Sequence, residues 1–197
     1  MEYTSGLMRQ SLWFLETKKT AKLILKGLTK EEILKKAVED NIYQVESKTR
    51  AKEFANTTFK RLNGFPDEAL ELFLNSSNET AKIFVLISVM KTDRLFFEFM
   101  YEVFREHLII QDYTLKNSEF NIFFKNKMTQ SEKISSWKES TFKRLKSTYI
   151  RIINDAGILK TDNKDREIVL PFIDFKMKEY LINNDMAPYV YAITGEQ

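Results

Sequence analysis

The amino-acid sequence predicts a mostly α-helical protein, a helical bundle over residues 1–130 followed by a winged-helix-like unit with a short β-hairpin over 131–197. Three observations lead there. Only five Gly and three Pro interrupt 197 residues rich in Leu, Ile, Phe, Lys and Glu, a composition that favours helices with few tight turns. Apolar residues recur at three- and four-residue steps, often behind a hydroxyl that can cap a helix. After about residue 130 the texture changes, and a helix runs into two β-rich stretches around a polar tip.

Residues 7–25 read as a first helix, with Leu12, Leu15, Ala21, Leu23 and Leu25 as apolar positions and Gly27 freeing the chain to turn. In TKEE, Thr29 and Glu32 can each satisfy the other's backbone amide, a capping box, with Ile33, Leu34, Ala37 and Val38 behind it. Ser47 opens the next helix, whose Ala51, Phe54, Ala55, Thr58, Phe59 and Leu62 share a face, and Asn63-Gly64 ends it. Pro66 suits the first turn of another, and ETAKIFVLISVM is apolar on nearly every side, as in the central helix of a bundle. Thr92 is read as the cap of the aromatic helix DRLFFEFMYEVFREHLI, and Asn117-Ser118 opens a shorter helix containing Phe120, Phe123 and Phe124. In the last part, Ser136 and Glu139 read as a second capping box and Gly157 as a C′ residue, giving a helix over 137–156. Ile158-Leu159, the tip KTDNKD and REIVLP then read as a hairpin stopped by Pro171, and FIDFKMKEYLINN as a final helix.

Composition narrows the function classes. Cysteine is absent, which fits a reducing cytoplasm and removes thiolate catalysis, disulfides and cysteine zinc sites together. The single histidine, His107, has no second histidine to ligate a metal with, so no metal and no cofactor is expected. No Gly-rich phosphate loop or nucleophile elbow is present, and neither an enzyme activity nor a small-molecule substrate is read. Asp93 with Glu98, or Glu102 with Glu106, are the acid pairs a hydrolase would need, but such spacing also lines any wet helix edge. The longest apolar run, 83–90, is far short of the roughly 20 residues of a membrane helix, and the amino terminus lacks an export signal. Net charge is +3, so charge placement matters more than its sum.

The stretch SWKESTFKRLKSTYIRIINDAGIL carries the candidate site. At about 100° per residue, Phe142, Leu145, Tyr149, Ile152, Ile153 and Ala156 gather on one side. Ser140, Lys143, Arg144, Ser147, Arg151 and Asn154 gather on the other, a row without an acid. Such donors suit phosphate: Arg144 has the fork for a guanine edge, Lys143 the point charge for phosphate, and Lys164 and Arg166 in the hairpin reach the flanking backbone. The same row is also what a plain solvated face would offer. A second candidate, Ser47, Lys48, Thr49, Arg50 and Lys52, stands at the front of a helix, where donors meet phosphate. The connector before it holds Ile42, Tyr43 and Val45, which speaks for packing. Phe96, Phe97, Phe99, Tyr101 and Phe104 have few cations among them and read as core, not as a base-stacking platform.

The order and spacing of SLWFLETKKTAKLILKG, DNIYQVESKTRAKEFANTTFKRL, SVMKTDRLFFEFMYEVF and WKESTFKRLKSTYIRIINDAGIL resemble the BrxA family of bacterial BREX phage-exclusion systems. These stretches span nearly the whole chain and are dominated by core positions. The resemblance implies a fold similar to that of the transcription antitermination factor NusB. It further implies a non-enzymatic cytoplasmic protein that works beside other BREX proteins and binds double-stranded DNA, with NusB-like RNA binding or a protein-adaptor role as alternatives. It carries over no catalytic residue. Members of the family have been labelled inner-membrane proteins, a label this sequence departs from.

Overall fold

The computed structural model describes residues 2–162 and 165–196. A 3-10 turn (Gly6–Arg9) leads into α1 (Phe14–Ile24), α2 (Lys30–Glu39) and α3 (Lys48–Leu62), followed by α4 (Asp67–Asn75) and α5 (Asn78–Thr92). Next, α6 (Arg94–Phe99), a π-helical widening (Met100–Phe104) and α7 (Arg105–Ile110) form one helical run. Then come α8 (Asn117–Gln130), the single turn α9 (Glu132–Ser135), α10 (Glu139–Asp155), strands β1 (Leu159–Asp162) and β2 (Asp165–Ile168), α11 (Phe175–Leu181) and α12 (Ala187–Thr194). The mostly helical class with one short antiparallel hairpin is therefore as the sequence predicts.

Capping chemistry fixes several boundaries. The Thr29 and Glu32 pair closes as a capping box, with bonds of 2.8 and 3.3 Å, and Ser47 accepts from the Arg50 amide at 3.3 Å. Helix α5 is the central one: every residue from position 83 to 90 is buried, which is why its sequence shows no polar face. Phe96, Phe99 and Phe104 are fully buried against it, and Phe99 stacks on Phe120 at 4.6 Å. Gly157, at φ +84°, ends α10, and the Ile158 amide reaches back to the Ile153 carbonyl at 3.3 Å.

Four expectations are corrected. The first helix is not continuous over 7–25: the chain leaves the 3-10 turn, passes Trp13 at φ +53° and only then enters α1, leaving Leu15 66% exposed. The cause lies in α3. The buried Arg61 guanidinium donates to the carbonyls of Leu12 (2.8 Å) and Ser11 (2.9 Å), acceptors that a continuous helix would use for its own amides. At the start of α6 the cap is Asp93, whose carboxylate accepts from the Phe96 amide at 2.9 Å; Thr92 still belongs to α5 and donates to the Ser88 carbonyl. Ser136 and Glu139 do not form a capping box. Ser136 closes α9 by donating to the Lys133 carbonyl, because Ile134 is fully buried and pins that turn, so α10 starts at Glu139. Finally, the helix read from FIDFKMKEYLINN is not the last: α11 stops at Leu181, the backbone turns through Asp185 at φ +61°, and a further helix that the sequence reading did not include, α12, buries Val190, Ala192 and Ile193.

The boundary that the sequence places near residue 130 is not a seam in the packing. Phe96, Phe99 and Phe124 all touch Tyr149 of α10, and one apolar core runs from Leu7 to Ile193. A separate apolar cluster lies between α1, α2 and α3, around Trp13, Ile33, Tyr43 and Phe54. It is closed by Thr20, whose hydroxyl is 2.7 Å from both the Tyr43 and Thr58 hydroxyls. Strand β2 is covered on its outer edge by residues 113–115, through Ile168 amide to Tyr113 carbonyl (2.8 Å) and Leu115 amide to Arg166 carbonyl (2.9 Å). The hairpin is thus held at its base rather than standing free.

Candidate nucleic-acid interface

Helix α10 buries Leu145, Tyr149, Ile152 and Ile153 completely, and this fixes its opposite side outward. Ser140, Lys143, Arg144, Ser147 and Arg151 are all exposed. The row is not free of acid, however. Glu139, released from any capping role, pairs with Lys143 at 2.8 Å, and that pairing holds the Glu139 carboxyl below its ordinary range. Both partners are more than 70% exposed, so the pair is weak and a phosphate can displace the carboxylate. Arg144 has no side-chain partner among the described residues. Ser147 donates to the Lys143 carbonyl, leaving its oxygen as an acceptor.

The far end of the row has another task. Arg151 donates to the Gln10 carbonyl at 2.7 Å, Thr148 to the Met8 carbonyl at 3.2 Å, and Ser11 to the Asp155 carboxylate at 3.1 Å. These bonds tie the amino-terminal strap along α10. Since Arg61 grips the same strap from α3, α10 and α3 are linked through it.

Two cations that sequence reasoning missed join the front of the row. Lys125 of α8 and Lys146 of α10 line, with Lys143, a groove of about 430 Å³ floored by Phe124 and Phe142, whose rings are 5.4 Å apart. Burial, and then the nearby Arg166 charge, push the Lys146 ammonium below its ordinary range. Arg166 is half-buried on β2, and its Nε has no partner among the described residues. Strand β1 packs on α10, and its partner β2 thus brings one hairpin cation near the basic helix. Lys164 lies outside the described residues. No motif announces Lys125, because only the packing of α8 against α10 brings it there.

The second candidate stands apart, over the α1–α3 cluster. Arg50 is engaged there: it pairs with Glu53 at 2.7 Å and lies over the Trp13 and Phe54 rings at 4.9 and 4.6 Å. Ser47 is the cap, while Lys48, Thr49 and Lys52 are exposed. The connector residue Tyr43 is buried, in line with a packing role for this segment.

The remaining titratable groups are tied into structure. His107 is buried, with Nδ1 at 2.5 Å from the Asp112 carbonyl and Nε2 at 2.7 Å from Glu119. Lys127, also buried, binds Glu98 (2.7 Å) and Glu102 (2.5 Å). Burial would raise the Glu98 carboxyl, but bonds from Lys127, Arg94 and Tyr3 outweigh it and hold Glu98 low. Burial pushes Asp93 up to about 6 and Arg61 down to about 9, each countered in part by the other's charge. Among the described residues no three His, Asp or Glu are placed to hold a metal ion, and no helix is long and apolar enough to cross a membrane.

Fold and surface together define a small helical protein with a basic groove beside a braced β-hairpin. The chain belongs to the BrxA family, whose model matches residues 1–185. It is 41% identical over 194 residues to a protein of Bacillus cereus (strain H3081.97) named BREX protein BrxA, covering 98% of this chain and 97% of that one. A crystal structure of an uncharacterized protein from Magnetospirillum magneticum matches with a TM-score of 0.82 at 20% identity over 100% of both chains, so that fold is shared.

Proposed function

We propose that this chain is a non-enzymatic binder of double-stranded DNA that serves a BREX phage-exclusion system. It holds phosphates with the front half of α10 and the rim of the α8–α10 groove. One observation carries the reading: Arg144 is exposed and unpartnered among the described residues, and its neighbour in sequence, Lys143, lines a groove with Lys146 and Lys125 in which the exposed Glu139 is the one acid among the lining residues. Ser140 adds a donor at the same front, Ser147 can add one only by releasing the Lys143 carbonyl, and Arg166 extends the front toward the hairpin. Arg151 serves mainly to hold the strap.

If four cations meet phosphates, log K falls with log salt at a slope of about −3.6, which is roughly a hundredfold between 50 and 200 mM. Lys143→Glu with Arg144→Glu lowers that slope by about two units for every duplex sequence tested, read by fluorescence anisotropy. An unchanged slope overturns the reading, and competition between duplex DNA and RNA decides which helix is preferred.

A protein-adaptor role beside other BREX proteins is the second reading. It is favoured by Leu170, Phe172 and Phe175, which follow the hairpin 62%, 63% and 76% exposed. A partner complex that withstands high salt and the double reversal, but not Phe172→Glu, supports it.

A further inference from the structure

Helix α8 separates two grooves of opposite character. Asn121, Phe124, Lys125 and Met128 line the basic groove toward α10, while Glu119, Ile122, Phe123 and Asn126 line a groove of about 300 Å³ toward α7. Each set follows the i, i+3, i+4, i+7 spacing of one helix face, and the two are offset by two residues, about 200° around the helix.

The α7 groove joins apolar contact area to a negative rim. Ile110 and Ile122 are each 59% exposed and stand with Val103 and Phe123. Around them are Glu102, Glu106, Asp112 and Glu119, and neither Lys nor Arg lines the groove. In a chain of net charge +3 this is a local inversion of sign. Lys127 answers one of these acids, Glu102 at 2.5 Å, and leaves Glu106 and Asp112 without an ion-pair partner among the described residues. It is also buried on Glu98, and Arg105 turns to the Glu196 carbonyl and the Tyr101 ring. Glu119 is engaged by His107 and the Lys116 amide, whereas the Glu106 carboxylate has no partner among the described residues.

We propose that this groove is the docking site for a basic amphipathic helix of a partner protein, with apolar anchors between Ile110 and Ile122 and Lys or Arg side chains meeting Glu106 and Asp112. The charge complementarity selects this occupant: polyanions and anionic lipid are repelled by the rim, and an uncharged apolar segment leaves the acids unanswered. A cleft between two helices that carries an apolar stripe matches helix-in-groove recognition. Its position across α8 from the basic groove lets duplex and partner be held together.

The test uses the ¹⁵N-labelled full chain and three 15-residue helical peptides with the same leucine stripe, whose polar positions are all Lys, all Gln or all Glu. The Lys peptide is expected to shift amides of Val103, Ile110 and Ile122 and to bind at least about tenfold tighter than the Gln peptide, with no binding by the Glu peptide. Ile122→Glu and Glu106→Lys, both at exposed positions and checked by thermal melting, should each weaken it about tenfold or more while leaving duplex binding unchanged. Equal binding of all three peptides, insensitivity to both variants, or self-association of the chain through this groove overturns the proposal.

Discussion

Arg61→Met tests whether a buried cation decides where the first helix begins. Arg61 is 1% exposed, and its guanidinium donates to Leu12, Ser11 and the Gln10 side chain at 2.8, 2.9 and 3.1 Å while lying 5.2 Å from the Trp13 ring. Two large terms oppose each other. Depression of the group to about 9 corresponds to a burial cost of about 5 kcal/mol, which methionine would not incur. Against it stand three acceptors left without a donor, at about 1–3 kcal/mol each, and a lost ring contact of about 1–2 kcal/mol. The balance is a net loss of about 2 kcal/mol, because the strap carbonyls have no helical amides to turn to. For a chain of this size that lowers the melting temperature by about 4–8 °C. The loss should be local first: the Gln10 and Thr17 amides, bonded to the Leu7 and Trp13 carbonyls at 2.9 Å each, should exchange at least about tenfold faster. Calorimetry and hydrogen exchange measure both. An unchanged melting point with both amides still protected would refute the reasoning and leave the break at Trp13 to local sequence.

Two further outcomes follow from the same region. Asp93 is raised from 3.8 to about 6, so its contribution to stability is fully present below about pH 4 and is lost as pH rises through 6, at a cost of about 3 kcal/mol once ionised. Asp93→Asn keeps a capping side chain and removes the titration, so denaturant unfolding at pH 4.5 and 7.5 should show wild type losing stability relative to the variant; parallel behaviour argues against it. Arg151→Ala removes the bond to Gln10 and should cost about 0.5–1.5 kcal/mol while leaving the salt slope of duplex binding within half a unit. A slope reduced by about one unit would instead place Arg151 on a phosphate.

What the sequence discloses, and what it withholds, divides along the range of the forces involved. The caps at Thr29 and Ser47, the C′ glycine at 157, the all-buried α5 and the outward row of α10 are legible because each depends on residues within one or two turns. The break before α1 is not, since Arg61 lies some fifty positions away and nothing in residues 7–25 records it. Glu139 shows the same limit at short range. Its spacing from Ser136 suits a cap, yet burial of Ile134 ends α9 there and turns Glu139 onto Lys143. The candidate site follows this rule as well. Lys143 and Arg144 are readable from helical periodicity and Arg166 from the hairpin, whereas Lys125 joins them only through packing of α8 against α10, and Lys146 counts only because it turns from the outward row into the groove beside α8. An acid four residues from Lys143 therefore says less about the site than the cations gathered from other elements. The exposed pair is weak and exchangeable, while the groove's position is fixed by a core in which Phe124 and Tyr149 are already packed.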